Sequence, residues 1–466
     1  MPPYRTGQRP SMDGASTTAI LVFILLATAV LFGGSSRPSL GNMVVGLAAL
    51  PLLGTAAFLL PGTLRRLDVK IGIALLIAAA ILPLLYAIPL SPTLWTSLPG
   101  RKLAVDTYKA TGIAIPWHGA GLVGGRSLPA ALHVIPVLAM FLGFACLPAA
   151  RRWQAVYVLL AFVVVGVFIG LAQIFGGQQS ALRFYDITSL GGGVGFFANR
   201  NHQATLMLMS MPLALAAAVS FAGRGNARSR AAMTVCLVVF ALTIIGLAAA
   251  LSRAGILLSI PVLLGSGLVA FTSLKSRKAR LWIAGGLIAG LVIGGALAVH
   301  SSGMAIADRL SGGIVDEDRQ DFAVLTKKAA ADFAPVGSGP GTFEAIFPIY
   351  EPVEEIRPLY VNHAHNEYLE IWLEYGILGI VGVAASILWL LWMIMRAWWP
   401  DGRGSDRVLA KAASIGIVAV LAHSFVDYPL RTSTIAVLIG MAGALLLEAP
   451  RGPERNSKGR RRKSAR

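Results

Sequence analysis

The densest run of reactive side chains is His363-Ala364-His365-Asn366-Glu367-Tyr368-Leu369-Glu370-Ile371-Trp372-Leu373-Glu374-Tyr375-Gly376-Ile377-Leu378-Gly379. Histidine has an ordinary pKa of about 6.5, so it can take up and release protons near neutrality. Read as a helix, His365, Leu369, Trp372, Gly376 and Gly379 fall on one face, and Glu367, Glu370 and Glu374 on the opposite one. His365 is then the candidate base, on the face turned toward the bundle, with His363 and Asn366 beside it. The glutamates are expected to point away. The plain alternative for a single histidine here is a satisfied interfacial residue.

Three other segments carry candidate groups. Phe196-Phe197-Ala198-Asn199-Arg200-Asn201-His202 and Leu251-Ser252-Arg253-Ala254-Gly255 each set an arginine where an apolar run begins or turns. Arginine is never deprotonated in proteins and forks onto phosphate oxygens. Arg200 and Arg253 are therefore either headgroup anchors or anion-binding residues, with Asn199 and His202 in support of the first. The third segment, His423-Ser424-Phe425-Val426-Asp427-Tyr428-Pro429-Leu430-Arg431, ends a later apolar run. Asp427 and Arg431 are spaced to pair with each other or to serve a site. Gly191 to Gly195 and Gly337 to Gly341 read as turns, with backbone anion nests as the sharper alternative. Neither has the Lys-Ser/Thr of a nucleotide-binding P-loop. Asp316-Glu317-Asp318 reads as a solvated acidic turn rather than a metal site, and no metal is expected.

The elements that must position these groups follow from composition. The 466 residues are 56% hydrophobic and only 13% charged. Soluble domains carry roughly 25% charged residues. Apolar runs occur near 18–33, 41–61, 71–89, 130–148, 154–175, 203–222, 231–250, 255–273, 281–299, 376–397, 408–424 and 433–448. Runs of this length in a bilayer must be helices, because each backbone polar group needs an internal partner. The expected fold is an all-α polytopic membrane protein of about twelve transmembrane helices, with a large loop between helices 9 and 10. The stretch 231–273 is too long for one span, so a tight turn at Ser252–Arg253 should divide it.

Net charge is +18. The basic residues cluster in short gaps that alternate along the chain (Arg65, Arg66 and Lys70; Arg151 and Arg152; Arg224, Arg228 and Arg230; Lys275 to Arg280; Arg396 to Lys411) and in the tail from Arg451. That is the positive-inside pattern, so both termini and these gaps are expected in the cytoplasm. Loops 90–129, 176–202 and about 300–375 then face the other side. The expected divisions are a cytoplasmic N-terminus at 1–17, helices 1–9 over 18–299, a catalytic loop at 300–375, helices 10–12 over 376–448 and a basic tail at 449–466. The first run, behind Arg5 and Arg9, reads as an uncleaved span rather than a leader. No recognition motif accompanies the charge, which argues against nucleic acid as a partner. Cys146 and Cys236 lie in apolar runs and read as packing residues.

The motifs in order resemble the O-antigen ligase and O-antigen polymerase superfamily of bacterial membrane glycosyltransferases. The most specific piece is His365-Asn366, nine intervening residues, then Gly376 and Gly379. Asn199 to His202, Ser252 to Gly255, and Gly341-Thr342-Phe343 resemble the family's other segments. The resemblance implies a bacterial inner-membrane enzyme with its site facing the periplasm. It would move a glycan from undecaprenyl diphosphate to a lipid A–core sugar (ligase) or to another lipid-linked repeat unit (polymerase), with no cofactor; some relatives polymerise exopolysaccharide and others attach glycan to protein. Physical chemistry agrees. A donor outside the cytoplasm must arrive activated, and its diphosphate leaving group calls for cations such as Arg200 and Arg253, while His365 can accept the acceptor proton. The ligase form is favoured because the His-Asn pattern is met in full. A transporter would show ionisable residues at mid-membrane, whereas here the polar residues gather at the rims.

Overall fold

The computed structural model describes residues 12–63, 65–222, 224–274, 314–353, 361–399 and 406–450, with scattered positions between 276 and 292. Apart from those scattered positions, the expected span 281–299 lies outside this set, as do the tail from 451 and the loop parts 300–313 and 354–360. Among the described residues the helices are α1 (Met12–Phe32), α2 (Leu40–Thr63), α3 (Leu67–Leu85), α4 (Pro92–Thr96), α5 (Lys102–Thr111), α6 (Ser127–Cys146), α7 (Ala149–Phe175), α8 (Arg200–Phe221), α9 (Ala227–Ala250), α10 (Arg253–Ser273), α11 (Ile314–Phe333), α12 (Phe343–Tyr350), α13 (Glu367–Trp398), α14 (Asp406–His423) and α15 (Ser433–Leu445). Nine of them are long and apolar enough to cross a membrane. The chain is an all-helical, multi-pass membrane protein.

The last two expected spans differ from the rest. α14 begins with Asp406 and carries Arg407 and Lys411. α15 has 13 residues, too few at 1.5 Å per residue to cross the apolar layer alone. Both are packed inside the bundle, α14 against α8 where Gly416 meets Met209, and α15 against α6 where Gly440 meets the Val137 carbonyl.

α8 is the central post. Every residue from Asn201 to Val219 is buried, which suits a helix that is apolar or small all round. α9, α10 and α14 pack against it. The divided stretch behaves as the sequence required. α9 ends at Ala250, Leu251 turns with φ 52°, and Ser252 caps α10 by accepting from the Gly255 amide. Gly255 is needed there because a Cβ would lie 2.7 Å from the Ala204 Cβ of α8.

Charges gather at the two ends of the bundle. At one end Asp68 pairs with Arg66 at 2.7 Å and with Arg396 at 3.2 Å. Buried Arg152 donates to the carbonyls of Phe144, Leu147 and Leu447. This is the basic end. The other end begins α8, α10, α13 and α15 and ends α14, and it carries the histidines.

The loops of the histidine end form a layer of their own. Residues 86–126 supply α4, α5 and a bridge between Leu90 and His118. They dock on the glycine turn at 337–341 through Arg101, whose side chain is buried and donates to the carbonyls of Pro99, Ala120 and Gly337 at 2.6–2.9 Å. Burial lowers the Arg101 pKa to about 10, so it remains a cation. Tyr86, pushed up to about 12 by burial, stays neutral and donates to the Val336 carbonyl at 2.6 Å. Arg101→Ala leaves these carbonyls without their donor, at about 1–3 kcal/mol for each buried unsatisfied group. Limited proteolysis of the purified protein should then cut within 86–126 faster than in wild type. An unchanged cleavage pattern would mean that Arg101 is not what docks the layer.

Candidate functional site

Four chain segments meet at the histidine end, two of them consecutive. The first is the start of α8. Asn199 caps it by accepting from the Asn201 amide at 2.8 Å, which brings Asn201 and His202 into its buried first turn. The second is the coil 361–366 before α13, where His365 takes φ 49° and Asn366 caps the helix by accepting from the Leu369 amide at 3.1 Å. The third is the first two turns of α13. The fourth is the turn after α14, residues 424–431.

Asp427 and Tyr428 lie at the centre. The Asp427 carboxylate accepts from the Asn201 side-chain amide. It also lies 3.8 Å from His202 Nε2 and 3.7 Å from His365 Nδ1. The Tyr428 ring stands among three imidazoles, with centroids 5.1 Å from His202, 4.3 Å from His363 and 4.9 Å from His365. Burial and then Asp427 hold the Tyr428 phenol above its ordinary pKa, against the opposing pull of the Asn362 and Asn199 side chains. Phe322 of α11 stacks on His365 at 6.3 Å, which places α11 over the site. One turn deeper, the Thr205 hydroxyl meets His423 Nδ1 at 2.9 Å.

Behind the imidazoles lies a buried charge network. His363 Nδ1 meets Glu370 Oε1 at 2.8 Å, and the Ala364 amide donates to Glu370 Oε2 at 2.9 Å. Arg431 reaches both Glu370 at 3.2 Å and Glu374 at 3.1 Å. Burial works against the Arg431 charge, yet the two carboxylates more than offset it and hold its pKa above the ordinary guanidinium value. Glu367 accepts from the Ser424 hydroxyl and the Leu430 amide, tying α13 to the turn after α14.

Two sequence expectations are corrected here. The glutamate face of the 363–379 segment does not point away, because Glu367, Glu370 and Glu374 are all nearly fully buried. The helix begins at Glu367, so His363 and His365 precede it, and the coil folds back over the acidic face instead of extending the helical array. The second correction is that Arg431 pairs with the glutamates, while Asp427 turns to Asn201 and the histidines. One signal for this was present. Three acids at i, i+3 and i+7 at the start of an apolar helix need a cation from elsewhere in the fold. Asn201 and Tyr428 carried no such signal, and only the packing of α8 against the 424–431 turn brings them in.

Gly376 and Gly379 touch no imidazole. Gly376 takes φ 54° and ψ −140° and kinks α13. The kink releases backbone groups, and the turn at 335–339 satisfies them. Ser338 N donates to Leu373 O at 2.8 Å, Gly339 N to Glu374 O at 2.9 Å, and Ile377 N to Pro335 O at 2.8 Å. The glycines of 337–341 therefore serve backbone-on-backbone packing. In the other glycine turn, the Val194 and Gly195 amides both donate to Gln173 Oε1. Their donors are taken up inside the protein, which favours the turn reading over an anion nest.

Arg200 and Arg253 occupy the first positions of α8 and α10, two helices that touch where Ala204 meets Gly255, and both are partly exposed. Helix N-termini carry partial positive charge, so these two arginines stand where an anion is favoured. Among the described residues no group of His, Cys, Asp and Glu is arranged to hold a metal ion. The Asp316 to Asp318 side chains lie outside the described set.

Residues 237–384 match the family model described as O-antigen ligase. The match is about a third of the chain and runs from α9 through the kink of α13. It includes Arg253, His363, His365 and the three glutamates, and it stops short of Asp427 and Arg431. No curated protein matches the chain.

Proposed function

We propose that this chain, placed in the O-antigen ligase and polymerase superfamily by residues 237–384, is a ligase-type glycosyltransferase. It moves a glycan from undecaprenyl diphosphate to a sugar hydroxyl of lipid A–core on the periplasmic face of a bacterial inner membrane. The observation that carries the reading is the convergence, at one end of a membrane bundle, of Asn201 and His202, His363 and His365, and Asp427 and Tyr428. Beside them stand two arginines at helix N-termini.

The chemistry assigned to these groups is a direct displacement. The acceptor hydroxyl oxygen attacks the anomeric carbon, the bond to the diphosphate oxygen breaks, and the configuration inverts. Arg200 and Arg253 take the diphosphate, whose charge grows as it leaves. His365 takes the hydroxyl proton, and Asp427 at 3.7 Å stabilises the imidazolium that forms. The donor arrives activated, so the scheme draws on no nucleotide and no metal. Polymerisation of O-antigen or exopolysaccharide uses the same chemistry with a different acceptor and is the second reading.

The test is complementation of a deletion strain with wild type, His365→Ala, Arg200→Ala or Arg253→Ala at matched expression, followed by electrophoresis of the envelope glycolipids. The expected result is glycan-bearing lipid A–core with wild type only. Each variant should lose at least about 100-fold, the usual scale for a general base or an oxyanion partner. Accumulation of long lipid-linked chains over bare core marks a ligase, and core bearing a single repeat marks a polymerase. Unchanged glycolipids with altered secreted polymer would move the reading to exopolysaccharide. Full activity of His365→Ala would remove it as the base.

A further inference from the structure

The basic end of the bundle holds a cavity of about 350 Å³ that the transfer reaction leaves unused. It is lined by Trp153 and Tyr157 of α7, Ser220 and Phe221 at the end of α8, Arg224 in the following turn, and Val408 of α14. Trp153 and Tyr157 stand one helical turn apart on one face of α7. Their rings stack at 5.9 Å and 27°, and Tyr157 stacks in turn on Phe221 at 6.3 Å and 23°. The Arg224 guanidinium carbon lies 5.3 Å from the Phe221 centroid, so a column of three aromatic rings ends under a cation.

The cation is exposed, and among the described residues Arg224 makes no ion pair. The lining contains no carboxylate. A guanidinium with one face on an aromatic ring keeps its N–H edge for two oxygens of one phosphate. The walls below it are apolar and stand at the end of three helices of a membrane bundle.

We infer that this cavity binds the headgroup of an anionic glycerophospholipid, with the phosphate on Arg224 and the glycerol and first methylenes against the aromatic column. The lipid must carry net negative charge. The lining holds one cation and no acid, so a headgroup with net negative charge is favoured over a zwitterionic one, whose ammonium Arg224 repels. The inference is independent of the chemistry at the histidine end.

The experiment is native mass spectrometry of the detergent-purified full chain, with dioleoyl phosphatidylglycerol and dioleoyl phosphatidylcholine added in equal amounts. Wild type should retain phosphatidylglycerol in preference by about tenfold, a difference of about 1.4 kcal/mol. Arg224→Ala should abolish the preference and Arg224→Lys should keep part of it. Arg228→Ala, an exposed change outside the lining, should leave it intact. Tyr157→Leu should weaken retention of both lipids. Equal retention of the two lipids by wild type would overturn the inference and leave the column as interfacial aromatics. So would equal losses in Arg224→Ala and Arg228→Ala, which would mark a diffuse basic field, or displacement of the lipid by excess inorganic phosphate. Arg224→Ala should leave glycan transfer unchanged, since it lies at the opposite end of α8 from Arg200.

Discussion

Arg431→Ala is expected to abolish accumulation of folded protein. Among the described ion pairs Arg431 is the one residue that reaches both Glu370 and Glu374, and both carboxylate side chains are 1% exposed. Taking away one partner of a buried pair costs about 3–5 kcal/mol, because the remaining charge is left without compensation. Here two carboxylates are left. That loss is a large part of the roughly 5–15 kcal/mol that holds a typical domain folded. The check is the monodisperse yield from detergent extraction at matched expression. Adding Glu370→Gln and Glu374→Gln to Arg431→Ala removes the buried charge, and the yield should largely return. If neutralisation recovers nothing, the arginine acts through packing and hydrogen-bond geometry and the electrostatic account fails. Transfer activity should stay lost in the neutralised protein, since the carboxylate that orients His363 is gone.

The second large effect is expected at Gly376. Its φ of 54° with ψ of −140° is a region that side chains rarely enter. A Cβ there would lie 2.0 Å from the Pro335 carbonyl oxygen and 2.6 Å from the Val336 carbonyl carbon. Both obstacles are backbone, so neither can swing aside as a side-chain end would. Gly376→Ala must push the 335–339 turn off α13 and break the bonds from Ser338 to Leu373 and from Gly339 to Glu374. Strain alone is worth about 1–3 kcal/mol. Hydrogen exchange should show the 335–342 amides losing protection while those in the second half of α13 keep it. Gly382→Ala, with no atom within 4 Å of the added carbon, is the control and should be silent. Retained protection in Gly376→Ala would show that the helix can straighten and satisfy its own carbonyls.

Much of the architecture was legible because a bilayer leaves a chain few options. An apolar run in lipid must close its own hydrogen bonds, so run length and basic gaps were enough to place most helices. The turn at Ser252–Arg253 followed from length alone, since 43 residues cannot make one span. The His-Asn and glycine spacing pointed to the segment that does become the coil, cap and kink at the start of α13. The glutamates failed for a definite reason. Helical periodicity assigns faces only where the helix continues, and here it starts two residues after His365. The acids then turn inward, because Arg431, Ser424 and His363 supply what burial demands of them.

The sequence by itself therefore determined the solvent this protein lives in, the helices that cross it and the end at which polar chemistry collects, since each is a property of local composition and run length. Only the tertiary structure decided which groups meet there. Asp427 lies beside Asn201, His202 and His365 instead of Arg431, and Arg431 lies beside Glu370 and Glu374, because α8 packs against the turn that follows α14. Such pairings join segments well apart in the chain, 57 residues for Arg431 and Glu374 and 226 for Asn201 and Asp427, and no local spacing encodes them.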